Sequence, residues 1–353
     1  MSESSYISEI LSQPEMLNSA LEQSDLSGIE ALSKDIHAGR FDRIILTGMG
    51  ASIYSVYPAW LILAQRGLNA MWVDAAELLH FAPSLITPRT LLWITSQSGR
   101  SAELIPLIDR SKSTRPACLL STVNHLTSPL AQAADLVQPI NALEEITVST
   151  RTYTNTLAVT QLAALAMAAA DRAEMNDLIG RAQLELEGAG QAISGYLADW
   201  RAEVENLKEI IGLPEHLILL GRGPSIAAIL TGALILAEAG KTATMAMNAA
   251  EYRHGPLEMT GPKLTILVFH GPANTAGLNQ NLVSDLVRLR ARAFLLHHQT
   301  YTHLPTLTIP NGEGAGLPLV EIIPLQMLTI ALAELAGLEP GMFYQGAKVV
   351  LKE

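Results

Sequence analysis

The chain has 353 residues, enough for two α/β domains of ordinary size with filled cores. Its 23 Lys and Arg stand against 34 Asp and Glu, a formal net charge of −11, with a pI near 5.3. With no basic run, that balance argues against a nucleic-acid or anionic-membrane partner, because such surfaces are held by clustered cations.

The hydrophobic fraction of 49% is spread along the chain. Its most apolar stretches carry Gly, Pro, Arg or Gln at short intervals, so none reads as a membrane span. The start, Met1-Ser2-Glu3-Ser4-Ser5-Tyr6, is polar and lacks a secretory pattern, which makes the cytoplasm the expected compartment. The single cysteine, Cys118, cannot form an intrachain disulfide, and Leu119 and Leu120 beside it suggest a buried strand.

In chain order, residues 1–40 read as a helical cap, punctuated by Pro14 and Ser24-Asp25-Leu26-Ser27. Strands are expected over 43–47, 69–73, 91–95 and 117–122, with helices over 52–66 and 101–111, the order of a parallel sheet. A helical section over about 155–211, with polar breaks such as Glu187-Gly188-Ala189-Gly190, is expected to pack the halves together. Strands return near 217–220, 243–247, 264–269, 293–298 and 305–309, with helices near 225–239 and 276–291. The expected division is a cap (1–40), a phosphate-binding domain (41–170), a helical connector (171–212), a second domain (213–335) and a C-terminal active-site tail (336–353).

One phrase occurs twice. Leu46-Thr47-Gly48-Met49-Gly50-Ala51-Ser52 returns as Leu219-Leu220-Gly221-Arg222-Gly223-Pro224-Ser225, each copy between a strand and a helix. Ala75-Ala76-Glu77-Leu78-Leu79-His80 is echoed by Ala249-Ala250-Glu251-Tyr252-Arg253-His254 after a one-residue indel. Such self-similarity indicates repeated architecture. The first turn lacks the third glycine of a dinucleotide fingerprint, with Ile53 at that position, so a nucleotide cofactor is not expected.

In Leu91-Leu92-Trp93-Ile94-Thr95-Ser96-Gln97-Ser98-Gly99-Arg100-Ser101 an apolar strand runs into a hydroxyl-rich turn and a helix. Helix N–H groups, the helix dipole and the hydroxyls of Ser96, Ser98 and Ser101 suit an anion, and Gly99 permits close approach. An ordinary serine helix cap is the alternative. The strand over 264–269 is followed instead by His270-Gly271-Pro272, so one phosphate site per chain is expected. Glu238 ends an apolar helix and His254 follows Ala250-Glu251-Tyr252-Arg253; a carboxylate and an imidazole are the usual acids and bases near neutral pH. His297, His298 and His303 are close in sequence, but strand alternation would turn the first two to opposite faces, which argues against a metal site.

The paired glycine turns, Ser96-Gln97-Ser98-Gly99, the Glu238 to His254 interval, Tyr252-Arg253-His254-Gly255-Pro256-Leu257 and Ala347-Lys348-Val349-Val350 together resemble the double sugar-isomerase (SIS) domain family, and within it the isomerase half of glucosamine-6-phosphate synthase. The resemblance runs from about residue 35 to the end. It implies two SIS-type three-layer αβα domains with mainly parallel five-stranded sheets, an active site between them and a homodimer. It also implies that Ser52, Ser96, Gln97, Ser98 and Ser101 hold a sugar 6-phosphate, while Val148 and Ala347 contact the sugar. Glu238 would move a proton between C1 and C2, His254 would assist ring opening and reach the neighbouring subunit's site, and Lys348 would form a Schiff base or contact the open-chain sugar. No cofactor and no metal is implied.

The family synthases carry a glutaminase domain with a terminal cysteine, which this sequence does not show, so glutamine-dependent synthesis is not expected. Their Asp-x-Pro-Arg-Asn loop is replaced here by Glu339-Pro340-Gly341-Met342-Phe343-Tyr344-Gln345. The leading expectation is a hexose-6-phosphate C1/C2 isomerase that releases ammonia from glucosamine 6-phosphate. A fructosamine-6-phosphate deglycase and a catalytically silent sugar-phosphate sensor are the alternatives.

Overall fold

The computed structural model describes residues 4–350. The segment Met1-Ser2-Glu3, part of the polar start read above, lies outside the described residues, as do 351–353. Two compact units are present. One comprises the described residues of Met1–Pro14, with Ile146–Thr150 and Glu185–Gly346; the other comprises Glu15–Glu145, Arg151–Leu184 and the described residues of Ala347–Glu353.

The Glu15–Glu145 unit is built on β1 (Arg43–Thr47), β2 (Ala70–Trp72), β3 (Thr90–Ser96), β4 (Cys118–Val123) and β5 (Leu136–Pro139), in the order β2-β1-β3-β4-β5. All pairings are parallel. Strands β3 and β4 are buried along their whole length, as expected where helices cover both faces of a parallel sheet. Cys118 lies on β4, and burial pushes its thiol up to about 11, an inert core position. Polar core groups are chained together: Trp93 Nε1 donates to Thr122 Oγ1 (2.8 Å), Thr122 Oγ1 to Gln138 Oε1 (2.9 Å), and Gln138 Nε2 to the Val159 carbonyl (2.8 Å). That chain ties three strands to the Arg151–Ala168 helix.

The second sheet holds β6 (His216–Gly221), β7 (Thr244–Asn248), β8 (Leu264–Phe269), β9 (Arg292–His297) and β10 (Thr306–Thr308), in the order β10-β9-β8-β6-β7, again parallel throughout. The repeat in sequence is therefore a repeat in topology: in both sheets the first strand lies between the second and third, so a switch point falls beside each glycine turn.

The helices Ser225–Glu238 and Leu317–Leu335 pack closely because Gly232 leaves room for Leu325; an added β-carbon would lie 2.1 Å from Leu325 Cδ1. Among the described residues one helical stretch, Gly314–Leu335, is long and apolar enough to cross a membrane, with a mean hydropathy of 1.7. The stretch is 94% buried inside the protein, and Tyr6 OH (2.8 Å from Thr329 Oγ1) and Gln13 (Nε2 donating to Gln326 Oε1, 2.7 Å) give two of its buried polar side chains hydrogen-bond partners.

Four expectations change. The helix over 52–66 is broken at Val56 into Ala51–Ser55 and Tyr57–Gln65. Strand β5 was not foreseen, being four residues long and ending in Pro139. Glu187-Gly188-Ala189-Gly190 is no break: the Arg172–Leu197 helix runs through it, because Ala182, Leu186, Ala189, Ile193 and Leu197 keep a buried stripe across the glycines. The helical section is interrupted instead at residues 169–171 and 198–199.

Candidate active site

Between β1 and β3 two turns meet. Gly48 is pressed against β3, where a β-carbon would lie 2.6 Å from the Thr95 carbonyl oxygen. Gly50, with φ +53, starts the short helix carrying Ser52, which is half-buried. From the end of β3 the chain makes an excursion over Gln97–Glu103 and enters a helix only at Leu104. The sequence reading began that helix at 101 because Ser101-Ala102-Glu103 looks like a helix start; the observed helix has Glu103 as its N-cap without a side-chain bond. The N–H groups nearest the serines are therefore the loop's own.

Ser96 and Ser98 are buried, and their hydroxyls accept from the N–H groups of Gly99 (3.0 Å) and Arg100 (3.3 Å). Gly99 sits at φ +62 against Ser128. Ser101 is half-buried and its carbonyl accepts from Leu104 N (3.0 Å). The Gln97 amide nitrogen lies 3.2 Å from Nε2 of His125, which projects from the turn after β4. Sequence reasoning missed His125; its signal is its position just past the carboxyl end of a strand beside a switch point.

The tail joins this loop. Ala102 N donates to the Val350 carbonyl (3.0 Å), and two residues earlier Lys348 Nζ donates to Glu145 Oε2 (2.8 Å). The Glu145 side chain is fully buried and that of Lys348 is 18% exposed. Thr152, in the first turn of the Arg151–Ala168 helix, donates to Glu145 through its N–H (3.2 Å) and hydroxyl (2.6 Å). These bonds and the helix dipole supply the negative charge with partners it would lose in an apolar site. Glu145 is the second residue that sequence reasoning missed, since only its type, not its burial, is legible locally. Ala347 is exposed.

The remaining expected residues belong to the other unit. Glu238 is the last residue of the Ser225–Glu238 helix and half-buried, and its carbonyl accepts from Lys241 Nζ. His254 is exposed on the turn after the Ala249–Tyr252 helix, its N–H bound to the Glu251 carbonyl (2.8 Å). Val148 is buried in a segment anchored by Glu9, whose carboxylate accepts from Ile146 N (2.7 Å), Thr147 N (3.3 Å) and the Thr147 hydroxyl. Glu9 too was missed.

The second sheet has no counterpart of the serine loop: His270-Gly271-Pro272 leads straight into the Ala273–Arg288 helix. The expectation that His297 and His298 face opposite ways is wrong. Strand β9 ends at His297, alternation ends with it, and the two rings lie 4.1 Å apart between centroids. Burial and the neighbouring imidazoles push His297 down to about 4. Among the described residues no group of three or more His, Cys, Asp or Glu is arranged to hold a metal ion.

Residues 40–166 match the family model for the SIS domain. Among curated relatives, the glutamine–fructose-6-phosphate aminotransferase (isomerizing) of Thermococcus kodakarensis is 26% identical over 356 residues, covering 98% of this chain. The chain spans 58% of that relative's length. Among solved structures, the C-terminal domain of glucosamine-fructose-6-phosphate aminotransferase from Francisella tularensis superposes with a TM-score of 0.84 at 21% identity, covering 96% of this chain and 98% of that one. Glucosamine-6-phosphate deaminase from Thermotoga maritima gives 0.74 at 18% identity, covering 98% and 99%. These likenesses establish the fold.

Proposed function

We propose that the chain is a phosphosugar isomerase acting at C1 and C2 of a hexose 6-phosphate, and that it releases ammonia from glucosamine 6-phosphate to give fructose 6-phosphate. The observation that carries this reading is the serine loop at the switch point of the first sheet, with the Lys348 tail tied to it through Ala102. A hydroxyl-rich loop and an amine in one unit support a site for a phosphorylated ligand. The names of the relatives, isomerizing aminotransferases and a deaminase, support the same substrate class.

In this mechanism Ser52, Ser96, Gln97, Ser98 and Ser101 exchange their contacts within the loop for contacts to the 6-phosphate, fixing the sugar's orientation. Val148 and Ala347 touch the sugar through backbone atoms. His254 of one subunit protonates the ring oxygen in the site of the other, which makes the working form a homodimer; its exposure in the single chain suits that role. Glu238 takes the C2 proton and returns it at C1, leaving an imine at C2. Water adds to that imine and ammonia leaves, or Lys348 adds, ammonia leaves, and water then hydrolyses the lysine imine to free fructose 6-phosphate.

The test is ammonia release from glucosamine 6-phosphate by the wild type and by Glu238→Gln. The expected result is a loss of about 100-fold or more in the variant, with phosphosugar affinity retained. Equal rates in the two proteins would remove Glu238 from the mechanism. A silent wild type that binds phosphosugar would redirect the reading. One destination is deglycation of a fructosamine 6-phosphate. The other is a sensor.

A further inference from the structure

We infer that Glu145 is the positioning residue and proton acceptor of Lys348, an inference that rests on the reading of Lys348 as the amine that adds to C2 of the sugar. An ammonium has no lone pair, so a lysine that is to attack carbon must first lose a proton to a nearby group. Glu145 Oε2 is 2.8 Å from Lys348 Nζ. The carboxylate is fully buried, and Thr152 fixes it by its N–H and its hydroxyl, so it is held in one orientation. The bond from Ala102 N to the Val350 carbonyl fixes the tail on the other side of Lys348, where the serine loop begins its helix. The amine is thus clamped between a buried base and a loop read as the phosphate cradle.

The step balances without an added reagent. Lys348 passes one proton to Glu145 Oε2, and the free amine adds to C2 of open-chain fructose 6-phosphate, forming the C–N bond while the carbonyl π electrons move to oxygen. A second nitrogen proton transfers to that oxygen, Glu145 returns the first, and water departs. The product is a protonated imine beside an ionised carboxylate. Charge in the pocket is the same before and after, one cation against one anion, so the buried Glu145 keeps an ionic partner at both ends of the step. With the C2 imine derived from glucosamine 6-phosphate, ammonia leaves in place of water.

The experiment is reductive trapping of fructose 6-phosphate with borohydride, read by peptide mass spectrometry at Lys348, in the wild type, Glu145→Gln and Glu145→Ala. The expected result is an adduct on Lys348 in the wild type, trapping slowed at least tenfold in both variants, and fructose 6-phosphate affinity within about threefold of wild type. Added formate should restore trapping several-fold in Glu145→Ala, where the deleted carboxyl leaves space, and not in Glu145→Gln; a purely structural role would give no such rescue. Thr152→Val, which keeps Glu145 but removes its hydroxyl partner, should slow trapping by a smaller factor, and serves if the Glu145 variants do not fold. Trapping at the wild-type rate in Glu145→Gln, or in Thr152→Val where that variant is the one read, would overturn the inference while leaving Lys348 in its role. Absence of any adduct in a wild type that binds the sugar would overturn the Lys348 assignment and this inference with it.

Discussion

A β-carbon added to Gly99 would lie 2.2 Å from the hydroxyl oxygen of Ser128, and the glycine already stands at φ +62. Both facts forbid a side chain where the serine loop turns. Gly99→Ala is expected to cost about 1–3 kcal/mol of stability and to weaken fructose 6-phosphate binding at least tenfold. Calorimetric titration beside a thermal melt checks this; undiminished affinity would mean that the loop does not hold the phosphate.

Glu9 holds the segment carrying Val148 from the N-terminal helix, accepting from two backbone N–H groups and one hydroxyl. Glu9→Ala removes the acceptor of three part-buried donors, at about 0.5–1.5 kcal/mol for each hydrogen bond lost. The expected outcome is a KM for the phosphosugar raised several-fold, with a smaller change in kcat, because the residue orders a binding segment and touches no reacting atom. Steady-state kinetics separates the two.

Burial pushes Glu321 up from 4.5 to about 8, against a single hydroxyl bond from Ser225 (2.9 Å). The folded chain therefore holds a proton that the unfolded chain releases between those values. Stability from this group is full below about 4.5 and is lost as pH rises toward 8, at up to about 1.4 kcal/mol per pH unit. Glu321→Gln, neutral at every pH, is expected to flatten that slope and to melt a few degrees above the wild type at pH 8, with little difference at pH 5. Parallel melts at the two pH values decide it.

If His254 serves the neighbouring subunit, two inactive variants should complement each other. Mixing Glu238→Gln with His254→Ala under conditions that exchange subunits leaves half of the dimers mixed, each with one intact site, so activity should return to about a quarter of wild type. No recovery despite verified exchange would confine each site to one chain.

The two glycine turns and most strands were legible because continuous apolar runs ending in Gly-x-Gly have few alternative structures. The short strand Leu136–Pro139 was not, since four residues ending in proline carry little periodic signal. The late helix start at Leu104 and the helix that runs through Gly188 show local signals overruled by packing. At the candidate site, Ser96, Ser98 and Gly99 could be read from one segment. Glu145 could not: it and Lys348 are 203 positions apart, and nothing near either residue announces the other.

That separation has a consequence for how the molecule comes into being. The unit built on Glu15–Glu145 also takes in the tail at Ala347, and the unit holding the second sheet takes in residues near the start of the chain. During synthesis the first sheet is translated long before Lys348, so the buried carboxylate waits 203 codons for its counter-ion. A message cut short just before Lys348 would yield both sheets without the cation of this buried pair, so the arrival of residue 348, rather than the folding of the first sheet, marks the moment at which the amine is in place.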